Sequence, residues 1–119
     1  MALKTTKIYR GDIWLYNPDP VRGGEIGKKL RPCLILSTDS FNQGPTELVI
    51  IVPLTSKDKR NPAHVKISPA DGGLKTPSFA LCEQIRAIST VRLVKKWGMV
   101  TNPMIFREIS KWITTFLNL

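Results

Sequence analysis

The sequence predicts a mainly β fold, a small and mostly antiparallel barrel or folded sheet of roughly five to seven short strands closed by a C-terminal amphipathic helix. Three observations carry this expectation. Apolar runs such as Cys33-Leu34-Ile35-Leu36 and Leu48-Val49-Ile50-Ile51-Val52 have the length and content of buried strands. Turn-forming clusters, among them Asn17-Pro18-Asp19-Pro20 and Asp71-Gly72-Gly73, separate such runs. Only after Asn102 does the period change, with Met104, Ile105, Ile109, Trp112, Ile113, Phe116 and Leu117 recurring at helical spacing.

In chain order, Ile8-Tyr9 leads through the turn-like Arg10-Gly11-Asp12 into a strand at Ile13-Trp14-Leu15-Tyr16. Residues 17–30 then read as a long loop, a length that is often functional when it lacks secondary structure of its own. The strand at 31–37 starts with Pro32, which suits a first position because it has no N–H to give. A polar turn covers Thr38 to Thr46, a second buried strand covers Leu48 to Val52, and a charged loop covers Lys57 to Pro62. His64 to Ile67 alternates as an edge strand does. Glu83-Gln84 interrupts the apolar stretch from Ser78 to Ile88, and Leu93 to Val100 forms a further strand with Gly98 as a bulge. Asn102 caps the final helix and Pro103 occupies its first turn.

A chain of 119 residues forms one domain, 1–119, with a single modest core. The 42% hydrophobic and 23% charged content is ordinary, but 18 Lys+Arg against 9 Asp+Glu gives a net charge of +9. Such an excess points to a polyanionic partner, RNA or DNA first and an acidic protein segment second. No apolar run is long enough to span a membrane, and the N-terminal segment from Met1 to Lys7 lacks the apolar stretch of a signal peptide. Cys33 and Cys82 lie in strands, as buried hydrophobes of a reducing cytoplasm or as a disulfide pair. No Cys/His pattern has zinc spacing, so neither metal nor cofactor is expected.

Arg31 stands where the long loop ends and a rigid strand begins, and it reads either as a surface arginine that merely flanks the strand or as a guanidinium held by the scaffold within reach of solvent. Arg22, Lys28 and Lys29 in the first loop and Lys57, Lys59 and Arg60 in the later one are either solvated loop charge or the two rims of a phosphate-binding groove. His64 reads as a structural residue of a strand edge. Core packing outweighs base stacking for Trp14, Trp97 and Trp112.

Four segments together resemble the MazF/PemK toxins: Arg10-Gly11-Asp12-Ile13-Trp14, the Gly-Glu loop running to Arg31-Pro32, Val52-Pro53-Leu54-Thr55-Ser56, and Cys82-Glu83-Gln84-Ile85-Arg86. The resemblance runs from about Tyr9 to the final helix. It implies an SH3-like barrel with a C-terminal helix, acting as a homodimer. It also implies a metal-independent endoribonuclease that cuts single-stranded RNA through the 2′-hydroxyl, leaving a 2′,3′-cyclic phosphate and a 5′-hydroxyl. The implied partner is a MazE-like antitoxin whose acidic C-terminal segment covers the groove. Residue by residue, the resemblance puts the family's arginine at Arg31 and its threonine at Thr55. Glu25 or Glu83 is expected as the assisting carboxylate, and Arg22, Lys28, Lys29, Ser56, Lys57, Gln84 and Arg86 are expected to contact RNA. Some members use a loop histidine and a strand arginine, but this chain has Gly24 and Leu81 at those places. CcdB proteins, which poison gyrase without cutting RNA, share the architecture but act through a C-terminus unlike Phe116-Leu117-Asn118-Leu119. A member that only binds RNA or its antitoxin is the other alternative.

Overall fold

The computed structural model describes residues 7–18 and 29–119. Seven strands form one sheet: β1 Asp12–Tyr16, β2 Arg31–Ile35, β3 Leu48–Thr55, β4 His64–Ile67, β5 Ser78–Leu81, β6 Arg86–Ser89 and β7 Leu93–Met99. Their order is β4-β5-β3-β2-β1-β7, every pairing is antiparallel, and β6 joins β3 beside this path. Two single helical turns, α1 (Asp39–Asn42) and α2 (Pro69–Gly72), and the long helix α3 (Pro103–Leu117) complete it. The architecture is the expected mainly β sheet with a C-terminal helix. Among the described residues, however, β4 and β7 stay unpaired with each other, so the barrel is not closed by hydrogen bonds. Packing does the closing instead: α2 lies on β7 so tightly that a Cβ on Gly98 would sit 2.3 Å from the Gly72 carbonyl oxygen.

β3 is the hinge of the sheet. Its Leu48–Ile51 half pairs with β6 and its Leu54-Thr55 end pairs with β5. Pro53 falls between the two, where the edge changes partner and a missing N–H breaks no ladder on that side. This is why the strand runs on through a proline that would otherwise end it.

Period-two alternation divides the sheet into two cores. One face contributes Ile13, Leu34, Val52, Leu54, Val65, Ile67 and Ala80, covered by Ile105 and Ile109 of α3. The other contributes Trp14, Tyr16, Cys33, Ile35, Val49, Ile51, Ile88 and Leu93. Cys33 and Cys82 belong to different cores and both are free thiols. Burial pushes Cys33 up to about 12 and Cys82 to about 11, so both stay protonated near neutrality.

The Arg10-Gly11-Asp12 segment ties the sheet to α3. Gly11 has φ +96°, and a Cβ there would meet the Val100 carbonyl oxygen at 2.5 Å. Its N–H donates to Ile35 O at 2.9 Å, and Val100 N–H donates to Gly11 O at 2.7 Å. The fully buried Asp12 carboxylate accepts from Tyr9 N–H at 2.9 Å and Trp14 Nε1–H at 3.3 Å, and meets Lys96 Nζ at 3.1 Å. Arg10 lies over the Phe106 ring of α3, 5.0 Å from its centroid.

α3 starts as its sequence dictates. The Asn102 side chain accepts from Met104 N–H at 3.0 Å, and Pro103 follows it. The buried stripe is narrower than the periodicity suggests. Ile105, Ile109, Trp112 and Ile113 pack on the core, while Met104, Phe116 and Leu117 are exposed. Among the described residues no helix is long and apolar enough to cross a membrane.

Candidate active site

Arg31 is the first residue of β2 and Thr55 the last of β3, so both stand at the same end of the sheet. The β2–β3 register pairs Cys33 with Pro53, Leu34 with Val52 and Ile35 with Ile51. Continued by two residues, it sets Arg31 opposite Thr55. Tyr16 of β1 flanks Arg31 on the other side. Arg31, Thr55 and Ser56 line one cavity of about 630 Å³, within the range of small-ligand sites. Pro32, Leu54 and Leu74 add apolar lining. Lys57 N–H donates to Thr55 Oγ1 at 3.2 Å, which occupies a lone pair of the hydroxyl and leaves its O–H free to donate outward. A guanidinium with hydroxyls beside it is suited to a tetrahedral oxyanion such as a phosphodiester.

The other expected site residues fall in several places. Arg22, Glu25 and Lys28 lie outside the described residues. Lys29 and Lys57 are exposed, and neither lines the cavity. Gln84 is exposed in the turn after β5. Arg86 is placed further along the sheet, where its Nη2 donates to Tyr16 Oη at 2.9 Å. Tyr16 therefore links Arg86 to the strand pair that carries Arg31.

Glu83 is not brought to Arg31 and Thr55. The interruption at Glu83-Gln84 is a 3₁₀ turn, Cys82–Gln84, and it aims the carboxylate at His64 of β4. His64 Nε2 lies 3.0 Å from Glu83 Oε2, with the histidine side chain buried and the carboxylate partly exposed. Desolvation alone would raise the Glu83 carboxyl. The hydrogen bond from His64, with a backbone N–H and the His64 charge, outweighs it and holds the group below its ordinary range. His64 pairs with Leu81 across the β4–β5 ladder, so it lies in the strand where the sequence places it.

The sequence reading missed four cavity residues: Lys75, Thr76, Ser78 and Trp97. Lys75 and Thr76 come from the segment joining α2 to β5, which alone reads as an ordinary polar loop. The expectation of a packed core for Trp97 is corrected, since the residue is 47% exposed on the edge strand β7. Trp14 and Trp112 do pack in the two cores. Among the described residues, no group of three or more His, Cys, Asp or Glu is placed to hold a metal ion.

Fold and cavity together define a class: a small, basic, folded β-sheet protein with a C-terminal helix, presenting a cavity lined by an arginine and hydroxyl groups. Comparison with known proteins makes this particular. The family model described as PemK-like, MazF-like toxin of type II toxin–antitoxin system matches residues 9–117, and the chain belongs to that family. It is 38% identical over 97 residues to Endoribonuclease MazF9 of Mycobacterium tuberculosis, covering 77% of this chain and 81% of that protein. It is 32% identical over 111 residues to Endoribonuclease MazF of Staphylococcus saprophyticus, covering 92% and 91%. Among solved structures, a MazE–MazF crystal structure from Deinococcus radiodurans superposes with a TM-score of 0.75 at 25% identity, covering 96% of this chain and 98% of that one.

Proposed function

We propose that this chain is the toxin of a type II toxin–antitoxin pair, an endoribonuclease that cuts single-stranded RNA without a metal ion. The observation that carries the reading is the placement of Arg31 opposite Thr55 in one cavity of a chain belonging to this family. The relatives named endoribonuclease support the activity. The net charge of +9 fits both an RNA substrate and an acidic antitoxin segment. The MazE–MazF complex from Deinococcus radiodurans supports a MazE-like partner, and the working form is a homodimer as the resemblance implies.

In this mechanism the 2′-oxygen attacks the adjacent phosphorus. A bond forms between them as the bond to the 5′-oxygen breaks, giving a 2′,3′-cyclic phosphate and a 5′-hydroxyl. One proton leaves the 2′-hydroxyl and one arrives on the 5′-oxygen. Arg31 stabilises charge on the phosphorane, a role a bidentate guanidinium fills well, and supplies the proton to the leaving 5′-oxygen as acid. Thr55 donates its hydroxyl to a phosphate oxygen and orients it. The assisting carboxylate is Glu25, because Glu83 is engaged by His64.

The test is cleavage of mixed-sequence RNA in EDTA by wild-type protein and by Arg31→Ala, with fragment ends mapped. Discrete cuts with 5′-hydroxyl ends, lost by a factor of about 10² or more in the variant, are expected for the loss of such a charge stabiliser. RNA left intact by the wild-type protein in EDTA, or cut equally by the variant, contradicts the proposal.

A further inference from the structure

We infer that Trp97 is the platform on which one base of the RNA stacks while Arg31 holds the neighbouring phosphate, a positioning residue that presents the edge of that base to polar groups of the same cavity. The inference rests on the ribonuclease reading above. Its first support is placement. Trp97 lines the same cavity as Arg31 and Thr55, although it comes from the opposite end of the strand order from β3's partner β5. Its second is exposure. An indole offers one of the largest apolar areas a side chain can bury, yet Trp97 stays 47% exposed while Trp14 is 3% exposed.

The surroundings match a nucleotide part by part. Trp97, Leu54 and Leu74 give an apolar wall for a planar base, while Arg31 and Lys75 supply cations for phosphate. Among the described residues no carboxylate lines the cavity to repel an anion. Aromatic faces stack on every base, whereas selectivity comes from nearby polar groups that read a base edge. Thr76 and Ser78 line the same cavity and carry hydroxyls for that purpose.

The backbone holds this wall in place. Gly98 follows Trp97, and its missing side chain lets β7 lie directly on Gly72 of α2. A Cβ there would come 2.3 Å from the Gly72 carbonyl oxygen and 3.4 Å from Leu74 Cδ2. The close approach ties β7 to the turn from which the Gly73–Thr76 segment leaves, and both Trp97 and that segment line the cavity.

The test compares wild-type, Trp97→Ala and Trp97→Phe on mixed-sequence RNA, reading kcat/KM and the nucleotide preference around each cut. Trp97→Ala is expected to lower kcat/KM by roughly ten- to hundred-fold and to flatten the preference at one position beside the cut. Trp97→Phe should regain most of both, because a phenyl ring still stacks. Indole emission of the wild-type protein should also be quenched by nuclease-resistant 2′-O-methyl RNA of mixed sequence. That quenching should be absent in Trp97→Phe, and it serves as the deciding readout if Trp97→Ala does not fold.

Wild-type rate and preference in Trp97→Ala overturn the inference while leaving the ribonuclease reading intact. Failure of wild-type protein to cut any RNA removes both. Normal cutting by Trp97→Ala with lost inhibition by a glutamate-rich peptide assigns the indole to a protein partner and also overturns it.

Discussion

At the residue scale, chemistry depends on which neighbour a group is given. Glu83 and Arg31 both sit at the edge of a turn in sequence, yet one is handed to a histidine and the other to a cavity. His64 holds the Glu83 carboxyl below its ordinary range. A carboxyl lowered on folding adds stability above its unfolded value, about 4.3, and loses it as pH falls through the folded value. The carboxylate is partly exposed, so solvent screening keeps the contribution under about 1 kcal/mol. The expected result is that His64→Ala raises the Glu83 carboxyl toward its ordinary value, followed by NMR titration, while RNA cleavage is retained. An unmoved titration would separate the two groups in solution. Arg31 stands out at a loop-to-strand boundary, whereas Thr55 comes from the resemblance of Val52-Pro53-Leu54-Thr55-Ser56 alone, because Pro53 reads as the end of a strand that in fact runs on to Thr55. Trp97 is legible by neither route. Alternation in β7 says which residues share a face, but not that this face lacks a covering layer.

At the element scale, the structure turns on close backbone approaches that composition does not reveal. The boundaries of β4, the start of β2 and the cap of α3 followed from alternation, a first-position proline and an Asn-Pro pair. The turns α1 and α2 did not, because four-residue helices have no measurable period. α1 forms where Thr38 Oγ1 accepts from Phe41 N–H at 3.3 Å and Asn42 Nδ2–H donates to Ser37 O at 3.0 Å. Gly11 is the clearest pivot, holding a positive φ while its two backbone hydrogen bonds join β2 to the approach to α3. Gly11→Ala should therefore destabilise by about 1–3 kcal/mol from backbone strain, and more from the clash with Val100 O. Gly73 has φ +71° but open space around its Cβ position, so Gly73→Ala should cost less. Urea unfolding of the two variants checks this. Equal losses would mean that the close contact at Gly11 relaxes freely.

At the scale of the whole molecule, the excess of positive charge needs to be separated from the site itself. A net charge of +9 attracts any polyanion, so binding RNA says little about where it binds. Salt dependence discriminates. For a single strand, each phosphate neutralised adds about −0.7 to the slope of log Kobs against log salt. Arg31 and Lys75 line the cavity, whereas Lys111 lies on α3 beside a different depression with Arg10 and Phe106. Removing either cavity cation should flatten the slope by about 0.7, because one phosphate contact disappears. Lys111→Ala should leave the slope as it is, although it lowers the net charge by the same unit. Binding measured by anisotropy on 2′-O-methyl RNA between roughly 50 and 200 mM salt covers the range where this term is large. If all three substitutions flatten the slope equally, the RNA responds to total charge and the cavity is not its seat. If only the cavity pair does, the charge acts through a place, and that place is the end of β2 and β3 where Arg31 faces Thr55.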